Sequence, residues 1–229
     1  MVVTREMSSS NRFRDRSDAG RQLGGYIKQL RIEQPIVLGL ARGGVPVAFE
    51  VAQMLASPFD VLVVRKLGVP NHDELAFGAI GEDETRVLNI EMIQRLGLSR
   101  KRVARVIERE RAELTRRVVR YRGGRSPLGL DGRTVLVVDD GLATGATARV
   151  AVELARERAA SRVIVAVPVS PRETIAELSG LAIEVHSLRV PPDFRSVGEW
   201  YDDFAQTSDD EVASLLQQSS NPGTGTDRA

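Results

Sequence analysis

Thirteen consecutive residues constrain this chain more than any others: Val135-Leu136-Val137-Val138-Asp139-Asp140-Gly141-Leu142-Ala143-Thr144-Gly145-Ala146-Thr147. Four aliphatic residues in a row, bounded by turn formers, predict a strand buried on both faces of a parallel sheet. Two carboxylates close the strand, and a loop of small residues leads into a helix predicted from Ala148 to Arg158. Backbone amides in such a loop, at a helix N-terminus, converge on one anion. Gly145 admits close approach of the backbone, and Thr144 and Thr147 add hydroxyl donors. Asp139 and Asp140 repel a phosphate, so they suit ribose hydroxyls, or a metal reached through water. The loop lacks the Gly-Lys-Ser/Thr of a Walker A motif and is not a dinucleotide-binding glycine turn. Its chemistry is that of a sugar-phosphate site.

A second loop has the same form. Pro35 to Leu40 reads as a buried strand, Ala41-Arg42-Gly43-Gly44 follows, and a helix is predicted from Val45 to Ala56 with Pro46 in its first turn. Two adjacent glycines again offer amides to an anion. Phe59 to Arg65 is read as the next strand, Asp60 excepted. That places Arg65 and Lys66 on the rim where parallel sheets bind ligands, within reach of a pyrophosphate or a substrate carboxylate or carbonyl. After the motif helix come strands at 162–169 and 182–188, with a short helix between them. The alternation specifies an α/β fold: an open, mostly parallel twisted sheet with helices on both faces.

At 229 residues and 42% hydrophobic content, the chain suffices for one such domain. It has no cysteine, which excludes disulfides and thiolate metal sites, and its two histidines argue against structural zinc. No apolar run approaches the ~20 residues that span a bilayer. Met1 to Asn11 lacks an apolar signal core, so a cytoplasmic protein is expected. The net charge of +1 conceals two opposed segments. Residues 99–125 hold eleven Lys and Arg against three acids, and residues 193–211 hold seven acids against one Arg. The basic segment predicts a helix from Ser99 to about Tyr121 with a narrow stripe of Val103, Ile107, Leu114 and Val118. Packing or dimerisation is the simpler use of that helix. Polyanion binding is disfavoured, because no nucleic-acid-binding module accompanies it.

At residues 135–147 the chain resembles the type I phosphoribosyltransferases, whose motif is a hydrophobic strand, two acids, three variable residues, Thr, Gly, any residue, Thr. Every position matches. The resemblance implies that Gly141, Leu142, Ala143, Thr144, Gly145, Ala146 and Thr147 hold the 5-phosphate of phosphoribosyl diphosphate (PRPP). Asp139 and Asp140 would hold the ribose hydroxyls and face Mg²⁺ through water or PRPP. Ala41, Arg42, Gly43 and Gly44 would bind pyrophosphate, with Arg65 and Lys66 joining Asp139 and Asp140 as the catalytic set.

The resemblance further implies a mobile lid at 67–83, with His72 and Glu74 available for proton transfer or lid contacts. It implies a hood over the site at 191–217, where Phe194, Trp200 or Tyr201 would stack on a flat acceptor or simply dock the segment. The expected activity moves the 5-phosphoribosyl group to a nitrogenous base or similar acceptor and releases pyrophosphate, within nucleotide metabolism. A homodimer is expected. The alternative is a non-catalytic PRPP sensor that binds nucleic acid or a protein. The expected layout is a flexible terminus at 1–12, a core at 13–190 carrying the lid and long helix at 67–125, the hood or docking segment at 191–217, and a disordered tail at 218–229. The resemblance does not name the acceptor.

Overall fold

The computed structural model describes residues 12–70, 72–82, 85–181 and 183–220, apart from the side chains of His72, Asp73, Glu74 and Ser220. In chain order the elements are α1 (Arg16–Gln29), β1 (Ile36–Leu40), α2 (Gly44–Leu55), β2 (Phe59–Leu62), β3 (Val64–Val69), β4 (His72–Gly81), β5 (Arg86–Leu88), α3 (Ile90–Arg95) and α4 (Arg100–Arg122). There follow β6 (Thr134–Val138), α5 (Ala146–Glu157), β7 (Arg162–Val169), α6 (Arg172–Gly180), β8 (Glu184–Arg189), a 3₁₀ turn at Val197–Trp200 and α7 (Asp209–Ser220). The stretches expected to be unstructured fall outside the described residues, except Arg12 and residues 218–220, which still belong to α7.

Five strands form a parallel sheet in the order β2-β1-β6-β7-β8. Period-2 alternation sends successive residues of β6 to opposite faces. Leu136 and Val138 join a core with Leu23, Ile27, Val47 and Val51 from α1 and α2. Val135 and Val137 join a second core with Leu154, Ile175 and Leu178 from α5 and α6. Both faces are covered, which is why the strand reads as an unbroken apolar run. α1 is capped by the Asp15 carboxylate, which accepts from the Asp18 N–H at 2.7 Å.

The expected strand over 59–65 is broken. β2 stops at Leu62, the chain turns at Val63, and β3 begins a separate antiparallel ribbon in the order β3-β4-β5. The stretch expected as a lid at 67–83 is therefore mostly strand among its described residues. Its glycines serve close approach. A Cβ on Gly78 would overlap the Val87 carbonyl of β5, and one on Gly81 would overlap the Leu154 side chain of α5.

A buried ionic group explains both the break and the polar residue inside β2. Asp60, Glu82 and Arg122 are 7%, 5% and 6% exposed. Arg122, at the end of α4, donates to both oxygens of Asp60 at 3.0 Å, to Glu82 at 2.8–3.1 Å and to the Val61 carbonyl at 3.1 Å. The Val63 N–H donates to Glu82 at 3.2 Å. One guanidinium thus fastens β2, the foot of the ribbon and the long helix together.

The opposed charge segments meet each other. α7 buries Val212 and Leu216 in the first core, so residues 209–220 act as a docking segment. Its acidic N-terminus reaches α4: Asp209 contacts Arg116 at 3.1 Å and accepts from the Tyr121 hydroxyl at 2.6 Å, and Asp210 pairs with Arg120 at 2.7 Å. Within α4, Glu113 pairs with Arg116 and Arg117 at 2.8 and 2.7 Å, and these hydrogen bonds hold its carboxyl down at about 2.

Candidate functional site

The two glycine loops emerge side by side, because β1 and β6 are neighbours in the sheet. Gly145 has φ 68° and starts α5, a left-handed backbone that suits glycine. Ala143 and Thr144 are exposed, and Ala146 and Thr147 sit half-buried in the first turn of α5. Gly141 lies against Val197. Leu142 departs from its expected role: it is 2% exposed, and its N–H donates to the Val169 carbonyl at 2.9 Å. An apolar side chain in this loop seeks the core, so Leu142 anchors the loop and its amide is not offered to a phosphate. The Thr174 hydroxyl secures the loop further by donating to the Ala143 carbonyl at 2.5 Å.

The Ala41–Arg42 peptide is cis. Gly43 and Gly44 are pressed directly onto the acidic pair. A Cβ on Gly43 would overlap the Asp140 carboxylate, and one on Gly44 would lie 2.5 Å from the Val138 carbonyl and 2.7 Å from the Asp139 Cα. Arg42 turns toward α7, 3.7 Å from Asp209.

Burial pushes both acidic side chains up. For Asp139 the adjacent charge of Asp140 adds to that rise, while the Asp140 N–H at 2.9 Å, Lys66 and Arg16 oppose it. For Asp140, Arg16 opposes the burial by charge and hydrogen bonding. Arg16 donates from Nε to Asp140 Oδ2 at 2.8 Å, and its Nη2 lies 2.8 Å from the same oxygen as an ion pair. The pair spans 124 positions of sequence and nothing local announces it.

Arg65 and Lys66 are not a joint rim. Adjacent strand residues face opposite sides, and on β3 Arg65 turns onto Glu110 of α4 at 2.6 Å while Lys66 stays exposed. Lys66 lines a cleft of about 700 Å³ with Asn89, Thr144, Gly145 and Arg149, between the ribbon and the start of α5. The Arg65 assignment to pyrophosphate is thereby corrected, since its guanidinium is held on the far face. His72 and Glu74 lie on β4, and their side chains are outside those described.

The expected acceptor-stacking aromatics divide. Tyr201 is 3% exposed, packed on Phe13 with centroids 5.4 Å apart, and its hydroxyl donates to the Asp140 carbonyl at 2.5 Å. A buried ring cannot stack on a ligand, so Tyr201 braces the acidic pair instead. Burial raises its phenol, which keeps the donor proton in place. Trp200 packs against the same small cluster, with its indole N–H buried and without a hydrogen-bond partner among the described residues. Phe194 is half-buried ahead of the 3₁₀ turn.

Among the described residues no group of three or more His, Cys, Asp or Glu could hold a metal ion. The oxygen donors present, two adjacent carboxylates beside a glycine loop, suit a hard cation that arrives on a diphosphate and keeps its waters. No helix among the described residues is long and apolar enough to cross a membrane.

A doubly covered parallel sheet with two adjoining glycine loops and an acidic pair at its carboxyl edge defines an α/β protein of the kind that binds ligands at that edge. The family model for the phosphoribosyl transferase domain matches residues 17–203, and the chain belongs to that family of transferases. Two curated relatives, from strains CDC 1551 and H37Rv of Mycobacterium tuberculosis, are provisionally named phosphoribosyl transferases. Each is 51% identical over 206 residues, or 90% of this chain. The match spans 46% of their own length, so the chain covers less than half of each. The crystal structure of TT1426 from Thermus thermophilus is similar at TM-score 0.80 and 41% identity, covering 90% of this chain and 98% of that one. A hypothetical protein from Neisseria gonorrhoeae with bound ppGpp shares the fold alone, at TM-score 0.51 and 15% identity over 93% of this chain and 99% of its own.

Proposed function

We propose that this chain transfers the 5-phosphoribosyl group of PRPP to a nitrogenous acceptor and releases pyrophosphate. The observation that carries the reading is the contact of Gly43 and Gly44 with Asp139 and Asp140. It supports a reading in which a diphosphate-sized loop, hydroxyl acceptors and the phosphate cradle of 143–147 would surround one ribose.

The 5-phosphate takes the Thr144 and Thr147 hydroxyls and the amides at the start of α5. The ribose hydroxyls donate to the acidic pair. The pyrophosphate lies along 41–44, with Lys66 facing the site across the cleft. The C1–oxygen bond breaks, and its electron pair leaves with pyrophosphate. The acceptor nitrogen's lone pair forms the new C1–N bond, and that nitrogen's proton passes to solvent or to the leaving pyrophosphate. The transition state carries oxocarbenium character, as in glycoside cleavage. The protein's contribution is positioning and charge stabilisation. Mg²⁺ bound to PRPP, and facing Asp139 and Asp140 through water, would neutralise leaving-group charge.

The sensor alternative draws on the basic helix. At least five arginines of α4 are already in ion pairs, namely Arg109, Arg116, Arg117, Arg120 and Arg122, which weakens the case for a nucleic-acid surface. Cytoplasmic nucleotide metabolism and a homodimer belong to the same proposal. Val119 on α4, 66% exposed, supports a self-association face that sedimentation equilibrium tests.

Calorimetric titration of PRPP with Mg²⁺ tests the site. Wild-type protein is expected to bind, and the Asp139→Asn, Asp140→Asn double variant to remain folded and lose binding. Unchanged affinity in the folded double variant would refute the ribose assignment.

A further inference from the structure

We infer that Arg16 is a positioning residue for the ribose end of the site, one that makes the order of residues 201–205 depend on the Asp140 carboxylate. Only its consequence for PRPP rests on the phosphoribosyl reading; the linkage itself stands on geometry.

Arg16 sits in the first turn of α1, and its guanidinium reaches two ways. Nε and Nη2 both end on Asp140 Oδ2 at 2.8 Å. Nη1 donates to the Ala205 carbonyl at 2.6 Å. The guanidinium carbon lies 3.9 Å from the centroid of the Phe204 ring, within cation–π range. Phe204 rests on Tyr201 with centroids 5.0 Å apart, and the Tyr201 hydroxyl returns to the Asp140 carbonyl at 2.5 Å. The contacts close a ring that begins and ends on one residue of the acidic pair.

The two side chains are 12% and 14% exposed, so their hydrogen bonds form away from bulk water and are stronger for it. Past the buried Tyr201 the strap is open: Phe204 is 36% exposed and Ala205 and Gln206 are exposed, so apolar burial does little to hold residues 202–205. Its backbone is tied by the Asp202 and Asp203 N–H groups to the Phe13 and Arg14 carbonyls, each at 2.8 Å. Those two amides lie beside Arg16 and report on the ring.

The functional consequence is a division of labour. Arg16 fills Asp140 Oδ2 and holds that carboxylate against Gly43, so the ribose hydroxyls fall to Asp140 Oδ1 and to Asp139. The strap on the other side of Arg16 then forms only when the ribose end is in order. Two donors on different partners, an ion pair and a flat stacking face are all used at once, which a lysine ammonium cannot reproduce.

The test is amide hydrogen exchange of the full chain, read at residues 202 and 203, with global unfolding followed in parallel. Arg16→Gln and Asp140→Asn are each expected to speed exchange there by roughly tenfold, the scale of one charge-assisted hydrogen bond. The double variant is expected to go no further than either single, and Arg16→Lys to fall between. Phe204→Leu, which keeps the apolar contact and removes the stacking face, should speed exchange by a smaller factor if Arg16→Gln proves unstable.

Unchanged exchange in the single variants, or a double variant that multiplies the two effects, would overturn the linkage. In wild type, PRPP with Mg²⁺ should slow exchange at these amides, and Arg16→Gln should abolish that slowing and weaken PRPP binding. If wild type fails to bind PRPP while the single variants still speed exchange non-additively, the phosphoribosyl reading falls and the linkage stands. If PRPP binds both proteins alike and leaves their exchange alike, Arg16 has no positioning role.

Discussion

The paired glycine loops and the three-stranded ribbon are built on different rules, although the ribbon and the loop at 144–146 border one cleft. The loops belong to a parallel sheet whose strands are covered on both faces, and each is a local sequence of strand, small residues and helix. The ribbon is antiparallel, and β3 turns Arg65 and Leu67 to one side and Val64 and the exposed Lys66 to the other. Its place is set by a buried arginine near the end of a helix, far along the chain from β3. Local order fixes the loops' chemistry, whereas distant partners fix what the ribbon presents to them. Lys66 faces the cleft because Arg65 is held by Glu110 on the other side.

The comparison breaks most sharply at Gly44. Gly44→Ala forces a Cβ against the backbone of Val138 and Asp139, so PRPP affinity should fall by roughly 100-fold or more, the cost of misplacing a binding group by about an ångström. Gly129→Ala, where a Cβ meets nothing within 4 Å, should change nothing in the same calorimetric titration.

The next largest effect is on the ribbon. Arg122→Met leaves buried Asp60 without its cation and Glu82 with only the longer Arg158 contact at 3.7 Å, and urea unfolding should report a loss of about 3–5 kcal/mol. Replacing Asp60, Glu82 and Arg122 together with apolar residues should recover much of that loss, because the desolvated charges go with it. A mild single variant would mean that the group does not fasten the ribbon.

Tyr201→Phe removes one hydrogen bond to the Asp140 carbonyl and keeps the packing on Phe13. A loss of about 1 kcal/mol in unfolding is expected, with a larger fractional change in PRPP affinity than a packing role gives.

The smallest effect concerns pH. Burial raises the Asp209 carboxyl, but the hydrogen bonds from Tyr121 and Arg116 outweigh it, and the net lies below the ordinary carboxylate range. A depressed folded value means that the contribution is full above the unfolded value of about 3.9 and is lost as pH falls through the lower folded one. Asp209→Asn should therefore flatten the acid limb of the stability profile while changing stability near neutral pH by about 1 kcal/mol or less.

The legible parts of the sequence are those whose partners are close in sequence or repeat with a fixed period. β7 has the bounds its apolar run predicts, α4 begins right after Ser99 and ends within a residue of the predicted Tyr121, and the helices after both glycine loops begin within two residues of the predicted starts. The break at Val63 is not legible, because it depends on Glu82 and Arg122. Asp60 is the one local hint, a charge in an otherwise apolar strand. The site is half legible for the same reason. Asp139, Asp140 and the glycines stand in order along the chain, while Arg16, Glu110 and Asp209 reach their partners across the fold. The opposed charges of 99–125 and 193–211 are visible in composition, and their mutual pairing needs the fold that brings α7 onto α4.

The central claim is that the two loops and the acidic pair together activate PRPP toward an acceptor. Pyrophosphate release from PRPP and Mg²⁺ across a panel of purine, pyrimidine and other nitrogenous acceptors tests it most directly. The account predicts release that depends on one class of acceptor and disappears in the Asp139→Asn, Asp140→Asn double variant. PRPP binding with no acceptor-dependent release across a broad panel would contradict catalysis and favour a sensor, and absence of PRPP binding would contradict the site itself.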